Sequence, residues 1–182
     1  MVLIRLARED DAAALAEIYR PYVEESRISF EERAPDAAEM ARRLAGERPG
    51  FHPWLVAEEA NQIKGFASSS PFRTRAAYRW SVETGIYLAA DAHRRGIGRR
   101  LLIILTDLLE RQGYVAAIGA IALPNDASVQ LHEALGFVAA GTYRGTGFKH
   151  GQWIDVGLWQ KDLAPRVQAP AEPLPFEALF RP

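Results

Sequence analysis

Residues 93–99 read HRRGIGR, with Gly96 and Gly98 one residue apart and Arg94, Arg95 and Arg99 beside them. A strand-like run, SVETGIYLAA at 81–90, precedes them, and a leucine-rich run from Arg99 to Gln112 follows. Glycine between a strand and a helix lets the backbone turn tightly and approach a ligand closely. The helix leaves its first N–H groups without partners, and its dipole adds partial positive charge there. Such a loop holds an anion, best a phosphate or pyrophosphate. The arginines can add bidentate contacts. The spacing is not GxGxxG, because Leu101 stands where the third glycine belongs, and it is not GxxxxGK[ST]. A plain turn with solvated arginines is the competing reading on local grounds.

A second group of candidates lies along the chain. In SVETGIYL, simple alternation puts Val82, Ile86 and Leu88 on one face and Glu83 and Tyr87 on the other. Glu83 is then either a carboxylate aimed into a cleft or an ordinary exposed strand residue. His132 sits in LHEALGF as a proton donor, a relay, or a helix histidine bound to a backbone carbonyl. Asn125, after Pro124, is a ligand contact or a cap. FRTRAAYR supplies Arg73, Arg75 and Arg79 just before Glu83, suited to clamping a carboxylate or simply solvated. The chain has no cysteine, which excludes disulfides, thiolate–metal sites and a cysteine nucleophile. Its four histidines show no HxxxH spacing, so no metal is expected. There is no GxSxG elbow for a serine nucleophile.

The elements that must position these residues alternate between strand and helix. VLIRL (2–6) reads as a first strand, and Asp10 or Asp11 as the cap of a helix with Leu15, Ile18, Tyr19 and Tyr22 on one face. Pro35 and Asp36 open a second helix to about Gly46, with Met40 and Leu44 inward. WLVAEE and IKGFASS form a hairpin, and 71–80 is an aromatic loop. VAAIGAIAL (115–123) suits a strand buried on both faces. A short helix from Asp126 or Ser128 to Leu135 and two closing strands follow. This pattern is α/β, a mixed central sheet flanked by helices. One domain is expected over residues 1–163, with a proline-rich tail at 164–182 that does not fold alone and whose PLPFEALF could dock on this chain or on a partner. The net charge of -1 offers no field for nucleic acid. MVLIRLARED lacks the apolar run of a signal peptide, and VAAIGAIAL is too short to span a bilayer, so a cytoplasmic protein with no membrane partner is expected.

Taken together, RRGIGRRLL, LPNDASVQLHEALGF, PYVEESRISFEER, AYRWSVETGIYL and GFKHGQWIDVGLWQKDL resemble the GNAT superfamily of acyl-CoA N-acyltransferases, in its phosphinothricin and methionine sulfoximine N-acetyltransferase branch. The resemblance spans residues 2–163. It implies the GNAT fold, acetyl-CoA as co-substrate, and direct transfer to the α-amine of a small amino-acid analogue in a ternary complex. It implies that the amides of His93, Arg94, Arg95, Gly96, Ile97, Gly98 and Arg99 hold the pyrophosphate. His93 stands where the superfamily usually has glutamine or arginine. The backbone of Ile86, Tyr87 and Leu88 is implied to bind the acyl carbonyl and pantetheine, and Asn125 to touch the cofactor. Glu83 falls on the branch's base, and His132 on the position that donates or relays a proton. Phe30, Arg73, Arg75, Tyr78 and Lys149 are the implied acceptor contacts. His150 and Trp153 are more readily assigned to the closing hairpin or a dimer contact, and a homodimer is implied. The alternatives are the same chemistry on a protein N-terminus or another amine, and a catalytically silent CoA-binding sensor, which the presence of both Glu83 and His132 disfavours.

Overall fold

A computed structural model of the chain describes residues 1–180. Seven strands form one sheet: β1 (Leu3–Leu6), β2 (Trp54–Glu59), β3 (Gln62–Pro71), β4 (Ser81–Leu88), β5 (Ala116–Ala122), β6 (Val138–Lys149) and β7 (Gln152–Asp162). Their order is β1-β2-β3-β4-β5-β7-β6. Only β4 and β5 run parallel; the other neighbours are antiparallel. The helices are α1 (Ala12–Glu24), α2 (Ala37–Ala45), α3 (Ile97–Gln112) and α4 (Asp126–Glu133). The mixed sheet flanked by helices matches the α/β architecture expected from the sequence.

Alternation divides the core into two layers. On β2, Leu55 and Ala57 join one layer, which holds Leu101, Leu102, Leu105 and Leu109 of α3, while Val56 joins the other, with Leu15, Ile18 and Tyr19 of α1. The four α3 leucines are fully buried, and each is worth about 1.5–3 kcal/mol relative to exposure. Tyr22 and Leu44, expected inward, are only partly buried beside α1 and α2.

Several boundaries differ from the sequence expectation. α3 starts at Ile97 rather than Arg99, because Gly96 takes a left-handed conformation (φ 74°) and ends the preceding loop. β4 stops at Leu88, and Ala90–Ala92 form a 3-10 turn. Asp11 does not cap α1 with its side chain. Its carboxylate instead binds the Arg5 guanidinium at 2.7 and 2.8 Å and accepts the Arg8 N–H. Asp36 does cap α2, accepting the Glu39 N–H at 2.8 Å. The tail is docked on its own chain, ending in a 3-10 turn over Phe176–Phe180. No described helix is long and apolar enough to cross a membrane.

Candidate active site

The candidate site begins where β4 and β5 part. They pair from Ser81/Ala116 to Thr84/Gly119 and no further, while β5 continues along β7 to Ala122. Gly85–Leu88 therefore has β3 on one side and an open edge on the other. Leu88 turns its N–H and C=O away from β3 to the Tyr22 hydroxyl, at 3.2 and 2.7 Å, whereas the Ala89 N–H turns to Lys64 O of β3. Alternation then sets the Ile86 N–H on the open edge and the Tyr87 N–H on the β3 side. The three expected backbone contacts narrow to one free donor, Ile86, because Leu88 is held by Tyr22 and Tyr87 belongs to the sheet.

The glycine loop sits beside this edge. The first intrahelical bond of α3 is Arg100 N–H to Gly96 O, and no side chain caps the amides of Ile97, Gly98 and Arg99. The two glycines serve different needs. Gly96 has a positive φ and open space where a Cβ would stand. A Cβ on Gly98 would meet Ile86 Cδ1 at 3.3 Å and Leu88 Cδ1 at 3.4 Å, so Gly98 lets α3 approach β4. Arg94 and Arg99 are exposed and have no hydrogen-bonding or ionic partner among the described residues, while Arg95 pairs with Glu59 at 2.7 Å. The His93 imidazole meets the Tyr22 hydroxyl at 3.0 Å. A free amide cradle with uncommitted arginines fits a pyrophosphate.

Glu83 lies on the opposite face of β4 from Val82 and Ile86, as the alternation predicts, because pairing with β3 is unbroken from Pro71/Val82 to Gly65/Leu88. It is half-buried and lines a cleft of about 740 Å³ with Tyr87, Phe66, Trp54, Tyr19 and Ser68. Burial pushes its carboxyl above the usual range, with the Arg73 charge pulling the other way. Behind β4, a small crevice is lined by Ile86, Asn125, Ser128 and His132. The two hollows share Thr84, Gly85, Tyr87 and Ala120, so they meet through the gap between β4 and β5.

His132 is 3% exposed and stands edge-on to Phe137. Its Nδ1–H donates to Ser128 O at 2.8 Å, which fixes the tautomer. Burial holds its pKa below the ordinary histidine value, so the ring is neutral at pH 7 and Nε2 carries a lone pair. Nε2 faces β5, where a Cβ on Gly119 would meet it at 2.7 Å. Asn125 is the cap of α4, accepting the Ser128 N–H at 3.2 Å, and it also lines the crevice.

The implied acceptor contacts fare less evenly. Arg73 acts on Glu83 electrostatically and donates to the Tyr143 hydroxyl at 3.2 Å. Arg75 and Tyr78 lie on the exposed 72–79 loop, Tyr78 edge-on to Phe72, and neither lines the cleft. Phe30 does not wall the cleft either; it is 41% exposed and its ring lies against Gly147 of β6. Lys149 is spent on structure: its buried Nζ donates to the carbonyls of Val23 and Ser29, which ties the loop after α1 to β6. The cleft residues that sequence reasoning missed include Tyr19, Glu31 and Arg43. The Tyr19 hydroxyl contacts Glu31 at 2.9 Å, and Glu31 takes a two-pronged Arg43 pair at 2.8 and 2.9 Å.

A split strand pair with free amides at a helix start on one side and a half-buried carboxylate on the other suits an enzyme that joins a phosphate-tethered acyl group to an amine. The family profile described as an acetyltransferase (GNAT) domain matches residues 4–158. The chain is 40% identical over 174 residues to phosphinothricin N-acetyltransferase of Streptomyces viridochromogenes, covering 96% of this chain and 92% of that one. It is 33% identical to the L-methionine sulfoximine/L-methionine sulfone acetyltransferase of Salmonella typhimurium, covering 88% and 94%. The crystal structure of a phosphinothricin acetyltransferase from Sinorhizobium meliloti with acetyl-CoA superposes with a TM-score of 0.90 at 36% identity, covering 100% and 99% of the two chains. The chain belongs to the GNAT acetyltransferase family. It is an acetyl-CoA-dependent N-acetyltransferase.

Proposed function

We propose that the acceptor is the α-amine of a small amino acid of the phosphinothricin or methionine sulfoximine type, acetylated by direct attack in a ternary complex. The observation that carries this reading is the meeting of two hollows at Thr84, Gly85, Tyr87 and Ala120, with Glu83 in one and His132 in the other. The relatives' names point to the same acceptors.

Acetyl-CoA supplies the thioester carbonyl. The free amides of Ile97, Gly98 and Arg99 bind its pyrophosphate, and Arg94 and Arg99 close over it. An α-amine arrives largely protonated, and Glu83 takes that proton directly or through one water. The neutral nitrogen then attacks the carbonyl. Ile86 N–H, on the open edge of β4, donates to the oxygen as negative charge develops there. The C–S bond breaks, and the second proton of the attacking nitrogen passes to the departing thiolate, leaving the amide. His132 serves as a relay rather than as a standing acid: its only N–H is given to Ser128 O, so Nε2 must gain a proton before it can give one. Arg73, whose charge reaches Glu83, takes the acceptor carboxylate.

We place the reaction in the cytoplasm, where acetyl-CoA is made and used. We also read the exposed Val138, Tyr143, Phe148 and Trp153 on β6 and β7 as a homodimer face at the sheet edge. A single-chain mass by sedimentation equilibrium would remove the dimer. The acceptor reading is tested by thiol release from acetyl-CoA with each amino-acid analogue and with a peptide amine. Turnover with the analogues is expected; turnover with the peptide alone would overturn the assignment.

A further inference from the structure

The acceptor cleft has a wall that no motif announces. Phe176 and Glu177, in the last 3-10 turn of the described chain, line the same cleft as Glu83. The segment leading there is fastened at five points. Trp80 Nε1 donates to Ala171 O at 2.7 Å, and Arg79 pairs with Glu172 at 2.8 Å. Leu174 N–H donates to Gln112 O at 2.7 Å, and Gln112 Nε2 donates back to Leu174 O at 2.8 Å. Phe176 N–H donates to Gly50 O at 2.7 Å. Gln112 is only 1% exposed, and its amide also reaches Gly50 O and Phe51 O at 3.2 Å each. Gly50 has a positive φ of 81°, and a Cβ there would collide with Glu177 Oε2 and meet Pro175 Cβ at 3.0 Å. The backbone at Gly50 is thus shaped to receive the tail.

This wall also shifts the charge of the cleft. Its ionisable lining comprises the carboxylates of Glu31, Glu47, Glu83 and Glu177 against the guanidiniums of Arg43 and Arg48, while Arg73, whose charge reaches Glu83 from outside the lining, is matched by the acceptor's own α-carboxylate. His52, the remaining titratable imidazole of the lining, is held neutral by burial. Arg43 is already committed to Glu31 and Glu39. A neutral polar side chain meets no penalty there, whereas a second negative charge on the acceptor meets net repulsion and lost hydration.

We propose that residues 171–179 are a built part of the acceptor site, in which Phe176 and Glu177 set selectivity for amino acids with a neutral side chain over those with an anionic one. This rests on the acceptor reading above and divides its two substrate types. Methionine sulfoximine carries a neutral head, and phosphinothricin an anionic phosphinate. The experiment compares kcat/KM for both acceptors in the full-length enzyme, in Glu177→Gln and in Phe176→Ala, with the KM for acetyl-CoA as the control for folding. Wild type is expected to prefer methionine sulfoximine, and Glu177→Gln to narrow that preference by about fivefold, roughly one screened charge–charge contact. Phe176→Ala is expected to raise the acceptor KM while leaving that for acetyl-CoA in place. Acceptor ratios and KM values unmoved in both variants would overturn the wall alone. Failure of wild type to use either acceptor, with turnover of another amine, would overturn the acceptor reading and the wall's selectivity with it.

Discussion

The two hollows that meet between β4 and β5 are assembled in different ways. The cofactor side comes from two nearly contiguous stretches, Ile86–Arg99, which spans the end of β4 and the start of α3, and Asn125–His132, which is α4 with its cap. The acceptor side draws on separate segments from Leu6 to Glu177, including α1, α2, β2, β3, β4 and the tail. The first uses mainly backbone: free amides at a helix start and a free strand edge. The second uses side chains. Backbone recognition needs a fold and a few glycines, so it tolerates change around it. Side-chain recognition changes with each contributing residue, which is how one fold serves different acceptors.

Losing Glu83, the proposed base, should have the largest effect. Glu83→Gln is expected to lower kcat/KM at neutral pH by roughly 10²–10⁴-fold, with partial recovery at high pH as free amine accumulates, and with acetyl-CoA affinity unchanged. The raised carboxyl pKa sets the sign of the pH profile. As the proposed base, Glu83 would act as the carboxylate, so wild-type activity is expected to rise with pH through a value above that of a free glutamate. Arg73→Ala removes a charge that favours the carboxylate and should move that limb to higher pH. A Glu83→Gln enzyme with an unchanged rate and profile would separate the acceptor cleft from the chemistry.

The cofactor side breaks differently. Gly96→Val puts a β-branched residue at φ 74° in the open approach to the cradle. Acetyl-CoA affinity, measured by calorimetry, should fall about tenfold or more, which corresponds to about 1.4 kcal/mol. The acceptor KM should move little. Equal losses for both ligands would mean that the two sides are not independent.

The same contrast decides what could be read in advance. The cradle was legible because strand, glycines and helix are adjacent in the chain, and the face of Glu83 because β4 carries no bulge. α3 starts two residues before Arg99 because the left-handed residue that ends the loop is Gly96, which places Ile97 and Gly98 inside the helix. Lys149 is an acceptor contact only by what the resemblance implies, and nothing in the local sequence signals its burial; carbonyls at Val23 and Ser29, over a hundred positions away, decide its fate. The Tyr22 hydroxyl at Leu88 and the tail at Gly50 are likewise long-range pairings without a local pattern. The apolar residues of PLPFEALF marked the tail as able to dock, but not where.

The smallest expected effect concerns stability and isolates the acceptor-side wall. His52 lines the cleft next to Tyr114, and its Nδ1 is buried without a partner. Burial lowers its pKa from 6.5 to about 4, with the Arg48 charge acting in the same direction. The folded state therefore binds this proton less readily than the unfolded chain. Stability from this source is complete above about pH 6.5 and is lost as the pH falls toward 4. His132 is depressed for the same reason and contributes to the same limb, while ion-paired carboxylates such as Asp11 lose their contribution at lower pH. Melting temperatures of wild type and His52→Gln should converge as the pH falls across this window, with the variant showing the flatter slope. Parallel curves would mean that the imidazole is free to take up a proton in the folded state, and that the wall beside Gly50 opens to solvent more readily than the packing of the tail implies.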